Sequence, residues 1–185
     1  MTEARPFTPV KLVCGILAGG DLLFEKAEAA LASLFGSLDR RSNRFPFDCT
    51  GYYEAEMGSG LRRGFVSFSG LADAERLPTI KLETNALEED IRRESGSGGR
   101  MVNLDPGVLT KAALIMATAK DFSHRVPLRS GIYAHLELLF GRGGVRYLEW
   151  TYPDFRDGRY DTFFLQTRAD YLKRLKETGV PLRGV

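Results

Sequence analysis

The chain has 185 residues, of which 43% are hydrophobic and 27% are charged, and its formal net charge is +2. This length is typical of one domain, and the hydrophobic fraction is too high for a chain that stays disordered. A net charge so close to zero argues against general binding to nucleic acids or to anionic membranes. We therefore expect a single folded domain over residues 1–185.

The first half of the chain predicts six elements. Residues 11–18 form a continuous apolar run, which indicates a strand buried on both faces, and a helix follows it up to Gly36. Two further strands are predicted at residues 44–47 and 63–68. A helix beginning at Pro78 and a strand at residues 100–104 complete the set. The order β-α-β-β-α-β predicts a ferredoxin-like core over residues 10–105.

The second half is predicted to extend this core. Asp105-Pro106-Gly107 has the composition of a helix cap, and the apolar residues 108–119 after it predict a buried helix. A glycine-rich loop at 141–144 predicts a β-hairpin, and residues 161–176 predict a C-terminal helix. The expected fold class is α+β: a ferredoxin-like βαββαβ core carrying an added buried helix, a β-hairpin and a C-terminal helix, the additions spanning residues 106–178.

Cysteine content and hydropathy bear on the compartment. Cys14 and Cys49 are too few for a disulfide framework, and we expect both to be reduced. The apolar run near the N-terminus contains Lys11 and leads into a helix, which favours a strand over a signal peptide. No apolar stretch approaches the roughly 20 residues that span a bilayer. These features predict a cytoplasmic protein that does not bind membranes.

Several short motifs carry a resemblance to a known family. They are Val-Asn-Leu-Asp-Pro-Gly at 102–107, Lys-Asp-Phe-Ser-His-Arg at 120–125, Gly-Ile-Tyr-Ala at 131–134 and Trp-Thr-Tyr-Pro-Asp-Phe at 150–155. With them, the chain resembles the bacterial and archaeal family DUF4416 over nearly its whole length. The resemblance implies no activity, and the GTP-binding label of some members has no support here, because the chain lacks the P-loop motif G-x-x-x-x-G-K-[ST].

The segment 120–125 is the strongest candidate for a site. It combines two cations, a carboxylate, a hydroxyl and an imidazole in a predicted loop, and such a mixture suits the binding of an anion. Lys120, His124 and Arg125 would hold the anion, and His124 could also transfer protons near neutral pH. The alternative is a solvated connection in which Asp121 pairs locally with its neighbours.

Other polar groups are weaker candidates. Asp105 ends a predicted strand, where carboxylates often face a ligand crevice. An acidic and aromatic patch contains Tyr53, Glu54 and Glu56, and spacing places Lys81, Asn85 and Glu88 on one helical face. For the patch and for this helical face, a solvated or self-paired surface is the more common explanation.

Alternation along the predicted hairpin places Tyr133, His135 and Glu137 on one strand face. Together with His124, two of these residues would suit a metal site with two histidines and one carboxylate. The polar face of an amphipathic strand is the commoner explanation, so we predict no metal and no other cofactor.

These candidates lead to one main functional prediction. We expect a pocket for a small anionic ligand bearing phosphate or carboxylate, in an enzyme or a binding protein, with Asp105, Asp121 or a patch glutamate as proton acceptor. The alternative is a non-catalytic module that binds RNA or a protein partner, although the mixed charges argue against nucleic acid. A weaker alternative is GTP binding without a P-loop. A homo-oligomer is compatible with the sequence.

Overall fold

The computed structural model describes residues 3–179 and contains a mixture of helices and strands. The strands are β1 (Val10–Ala18), β2 (Leu38–Arg41), β3 (Phe45–Pro46), β4 (Arg62–Ala72), β5 (Val102–Leu109), β6 (Ala113–Thr118), β7 (Val126–Pro127), β8 (Tyr133–Gly141) and β9 (Gly144–Tyr147). The helices are α1 (Asp21–Phe35), α2 (Glu54–Met57), α3 (Leu77–Glu94) and α4 (Asp161–Glu177). No helix within the described residues is both long enough and apolar enough to cross a membrane.

All nine described strands belong to one antiparallel sheet. The order is β2-β4-β1-β5-β6-β8-β7, with β3 paired to β4 and β9 paired to β8. Every residue of β1 is buried, as the apolar run predicts for a strand in the middle of a sheet. The predicted hairpin is present as β8 and β9, which meet where Gly141 pairs with Gly144.

Helices cover both faces of the sheet. On one face, α1 and α3 bury Phe24, Leu31 and Ile80 against the side chains of β1 and β4. On the other face, α4 buries Phe164 and Tyr171 in a second cluster rich in aromatic rings. The three layers explain why the apolar runs of the central strands are continuous, because neither face of these strands meets water.

The predicted helix at residues 108–119 is wrong. This segment forms the end of β5, a turn at residues 110–112 and the strand β6. The Thr110 hydroxyl oxygen accepts hydrogen bonds from the backbone N–H groups of Ala112 and Ala113 and so closes the turn. Asp105-Pro106-Gly107 therefore lies inside a strand and does not cap a helix. A short apolar run buried on both sides has no periodicity that separates a helix from a strand.

The first half of the sheet has the predicted strands and one more. Strand β2 at the edge was missed, and the predicted strand at 44–47 is reduced to the two residues of β3. The order β2-β4-β1-β5 with antiparallel neighbours is compatible with a ferredoxin-like unit. Because the sheet continues to nine strands, the ferredoxin-like arrangement itself stays a prediction.

The sheet opens between β5 and β6. These strands pair only from Gly107 opposite Met116 to Leu109 opposite Leu114, although β6 goes on pairing with β8 as far as Thr118. Pro106 marks the point of separation. Alternate residues of β5 direct their N–H groups toward β6. Pro106 has no N–H group, so β5 cannot donate a backbone hydrogen bond to β6 at this position.

Gly107 permits the close contact at the last paired position. A Cβ atom at residue 107 would lie 2.5 Å from Met116 Sδ and 3.0 Å from the Ile115 carbonyl oxygen. We therefore expect Gly107→Ala to lower the free energy of unfolding by about 1–3 kcal/mol, measured by urea denaturation. Gly70→Ala is the control, because that strand glycine has no atom within 4 Å of the added methyl group. Equal stability of the two variants would contradict the expectation.

Candidate functional site

A cleft of about 700 Å³ occupies the opening between β5 and β6. This volume is within the range of sites for small molecules, roughly 300–1,000 Å³. Since the sheet is open here, residues of α3 from one face and residues 152–155 from the other face line the same cleft. The segment before and including α2 forms a further wall, in which Phe47, Tyr52 and Tyr53 supply aromatic rings.

Two side chains of α3 form hydrogen bonds with the backbone of β5 where β6 no longer pairs with it. Lys81 Nζ donates to the Leu104 carbonyl oxygen at 2.7 Å, and the Leu104 N–H donates to Glu88 Oε1, also at 2.7 Å. Both side chains are more than nine-tenths buried. The backbone of β5 therefore keeps its hydrogen bonds where β6 departs, and the opening costs no unpaired peptide group at Leu104.

A chain of ion pairs, buried except at the partly exposed Asp105, crosses the floor of the cleft. Arg63 Nη1 donates to Asp154 Oδ2 at 2.7 Å, and its Nη2 donates to Asp105 Oδ2 at 3.2 Å. Asp105 Oδ1 lies 3.7 Å from Lys81 Nζ, and its Oδ2 accepts from the Asn103 amide. Two cations thus balance two carboxylates, which is the condition for placing such charges away from water.

These cations fix the protonation state of Asp105. Burial alone would raise the pKa of its carboxyl group, but Lys81 and Arg63 outweigh burial and hold the pKa below the ordinary value. Lys120 contributes in the same direction. Asp105 therefore stays ionised and is a weak proton acceptor, contrary to the role predicted for it.

Glu88 has the opposite behaviour. Burial raises its pKa to about 7, although Lys81 and the Leu104 N–H both favour the charged form. Its other oxygen, Oε2, lies 3.7 Å from Arg100 Nη1. A carboxyl group that titrates near neutrality inside a cleft is suited to exchanging a proton with a ligand.

Lys120 and Arg125 also line the cleft, and their contacts there are with uncharged groups. Lys120 Nζ lies 3.9 Å from the centroid of the Tyr52 ring, and the Arg125 guanidinium donates only to uncharged acceptors. Neither has a carboxylate partner among residues 3–179. The guanidinium group has five N–H bonds and uses three, toward the Lys120 carbonyl oxygen, the Tyr152 hydroxyl and His135 Nδ1.

The predicted site residues divide into two groups. Those that line the cleft are Tyr53, Glu56, Asp105, Lys120 and Arg125, and those that do not are Glu54, Asp121, His124, Tyr133 and Glu137. Glu56 pairs with Arg100, at 3.5 Å between Oε2 and Nε, and not with a histidine. The patch glutamate that lines the cleft therefore has an arginine as its partner.

His124 lies beside the cleft with its ring stacked on Trp150, at 5.1 Å between centroids. Desolvation, followed by the nearby His135 and Arg125, lowers its pKa below the ordinary value. The His124 imidazole is therefore protonated less readily than an ordinary histidine side chain. Asp121 and Glu54 are exposed, which matches the solvated alternative for these two residues.

His135 and Glu137 are fully buried, so they do not form the polar face of an exposed strand. Glu137 Oε1 accepts from the Tyr152 N–H at 2.7 Å, and the His135 ring stacks on the Tyr152 ring. Tyr133 is partly buried. Within residues 3–179, no group of three or more His, Cys, Asp or Glu side chains is arranged to hold a metal ion.

Sequence reasoning missed several residues of the cleft. Lys81, Asn85 and Glu88 were noted for their shared helical face and assigned to a solvated surface, but all three line the cleft. Arg63, Asn103 and Asp154 were not among the predicted site residues. Asn103 and Asp154 lie in the two motifs at 102–107 and 150–155, and an arginine within an otherwise buried strand is itself an indication of an internal partner.

Comparison with known proteins gives a family and no relative of known activity. The sequence profile described as "Domain of unknown function (DUF4416)" matches residues 8–171, which include every cleft residue named above. No curated protein and no solved structure matches the chain.

Proposed function

The chain belongs to the DUF4416 family, and on the strength of the cleft we propose that it binds a small molecule bearing phosphate or carboxylate. Lys120 and Arg125 are the proposed contacts to the anionic group. The cleft between β5 and β6 is the proposed site, and its aromatic wall would contact the rest of the molecule.

One observation carries the proposal: among residues 3–179, every charged side chain of the cleft has a partner of opposite charge except Lys120 and Arg125. Arg63 and Lys81 pair with Asp105 and Asp154, Arg100 pairs with Glu56 and Glu88, and Arg92 pairs with Glu89. A cation held next to a cleft by uncharged acceptors keeps its capacity to bind an anion, and arginine can do so through two parallel hydrogen bonds.

The test is calorimetric titration with pyrophosphate and with citrate, supported by thermal unfolding. Either anion is expected to raise the melting temperature, because a ligand that binds only the folded state stabilises it. Lys120→Met and Arg125→Gln should each weaken the affinity at least about tenfold, since each removes a charged hydrogen-bond donor. Matched controls are Lys173→Met and Arg146→Gln, which alter exposed cations outside the cleft.

Two results would count against the proposal. The first is that neither anion changes the melting temperature. The second is that the cleft variants and the control variants bind the anions equally well. Retention of RNA that weakens steeply with salt, without any effect of the small anions, would favour the alternative of a nucleic-acid module.

Glu88 favours a second candidate, an enzyme acting on the same ligand. A group with a pKa of about 7 is present in both protonation states near neutral pH, as a general acid or base requires. Among the cleft carboxyls, Asp105 is held ionised by its cations, so Glu88 replaces it as the proposed proton acceptor.

Two further inferences concern the arrangement of the sheet and the cellular compartment. We infer that β2, β4, β1 and β5 with α1 and α3 make up a ferredoxin-like unit, extended by β6 to β9 and α4. We also infer a cytoplasmic location. Both thiols are free, with Cys14 buried and Cys49 exposed, as a reducing compartment would keep them.

A further inference from the structure

A buried polar chain lies directly behind Arg125. His135 and Glu137 are both 0% exposed, and His135 Nε2 lies 2.7 Å from Glu137 Oε2. Despite this short distance, neither of the two atoms has a hydrogen-bond partner within the described residues. Burying an imidazole and a carboxylate in this way costs free energy that apolar side chains would not cost. The pair therefore calls for a role beyond packing.

A β-bulge directs Glu137 into this position. Leu114 of β6 pairs with Leu138, and Ile115 pairs with Leu136, which leaves Glu137 without an opposite residue. A bulge of this kind re-aims a side chain within a ladder. Here it brings Glu137 to His135 on the same strand and to the backbone of Tyr152.

The hydrogen bonds define which nitrogen of His135 carries the proton. Arg125 Nε always carries hydrogen and donates to His135 Nδ1 at 3.2 Å, so Nδ1 must be the unprotonated nitrogen. The remaining proton is then on Nε2, next to the Glu137 carboxylate. A carboxylate in this position favours that tautomer, as second partners of histidine generally do.

We propose that Glu137 and His135 are positioning residues that hold the Arg125 guanidinium at the cleft in the orientation that binds an anion. This inference rests on the proposed function. A proton on Nδ1 would turn this nitrogen into a donor facing the Arg125 Nε–H donor. The hydrogen bond that orients the guanidinium would then be lost.

The groups facing His135 are few. Glu137 lies on its own strand, His124 and Arg125 come from the preceding loop, and Tyr152 covers its ring face at 4.8 Å between centroids. Strand β6 places Met116 opposite, which does not titrate. His124 Nε2 also lies 3.2 Å from His135 Nδ1, so the test needs a control at His124.

The test is calorimetric titration with sulfate at pH 8. His135→Phe should bind sulfate about tenfold more weakly than the wild-type protein, because Arg125 loses the acceptor that orients its guanidinium. His135→Asn should keep wild-type affinity, because its amide oxygen replaces Nδ1 as acceptor, whereas a purely structural role of the imidazole would make both variants equally weak.

Controls separate the possible failures. His124→Gln should keep wild-type sulfate affinity. Equal sulfate affinity of the wild-type protein and His135→Phe, or an equal loss in His135→Phe and His135→Asn, would overturn the inference while leaving the proposed function intact. No sulfate binding by wild type would contradict the proposed function.

A second measurement needs no ligand. Long-range ¹H–¹⁵N NMR spectra of this protein, which has only two histidines, report the tautomer of each ring. Neutral His135 protonated on Nε2 is expected, with a shift toward the Nδ1-protonated form in Glu137→Gln. Finding Nδ1 protonated in the wild-type protein at pH 8 would overturn the inference.

Discussion

Arg63→Leu is expected to lower the free energy of unfolding by about 3–5 kcal/mol. Arg63 is 5% exposed, and its guanidinium group contacts Asp154 and Asp105 and lies 4.5 Å from the centroid of the Phe47 ring. Removing it leaves the carboxylate of Asp154, which is also buried, without its cation. The large expected effect therefore comes mainly from the unpaired, buried Asp154 carboxylate and less from the lost attraction between the ions.

Urea denaturation at neutral pH measures this loss. Adding Asp154→Asn to Arg63→Leu should restore part of the stability, because the stranded carboxylate is then neutral. Arg93→Leu is the matched control, since Arg93 pairs with Asp90 and Glu89 on the exposed face of α3. This variant should lower the free energy of unfolding by less than about 1 kcal/mol. A loss below about 1 kcal/mol for Arg63→Leu would show that the chain of ion pairs is not buried as described.

Glu88→Gln is expected to change how stability depends on pH. The pKa of Glu88 is raised from its ordinary value of 4.5 to about 7 in the folded protein. A raised carboxyl pKa means that the folded state binds the proton more tightly, so this group stabilises the fold below about pH 4.5. That contribution is lost as the pH rises toward 7, and the loss amounts to about 3 kcal/mol.

In the variant, a neutral amide takes the place of the carboxyl group at every pH, and its oxygen can still accept from the Leu104 N–H. Relative to wild type, Glu88→Gln should therefore be unchanged near pH 4.5 and more stable by about 3 kcal/mol near pH 8. Urea denaturation across this range is the measurement. Glu89→Gln, at the neighbouring exposed position, should show no such gain. Parallel pH profiles for Glu88→Gln and wild type would contradict the account.

The sequence was informative where its hydrophobic or glycine pattern fits only one type of secondary structure. The buried run of β1, the glycines between β8 and β9 and the pattern of α4 all have a single simple interpretation, and the structure has these elements. Residues 108–119 were different, because alanine, leucine and methionine favour helices in isolation. Burial on both faces of a wide sheet overrides that preference, and no local feature of the sequence reports how wide the sheet will be.

The site was predictable only in part for a related reason. Lys120 and Arg125 are neighbours in sequence, so their joint presence at the cleft could be inferred from one loop. Arg63, Lys81 and Asp154 come from distant elements, and their convergence depends on where β5 and β6 part. Pro106 and Gly107 mark that point, but a proline-glycine pair predicts a turn far more often than an opening within a sheet.

The central claim is that Lys120 and Arg125 bind an anion in the cleft, and anomalous diffraction from crystals soaked in selenate tests it most directly. We expect a selenium peak adjoining both Lys120 Nζ and the Arg125 guanidinium, absent from crystals of a Lys120→Met, Arg125→Gln double variant. Peaks only outside the cleft, or a cleft peak that persists in the double variant, would contradict the claim.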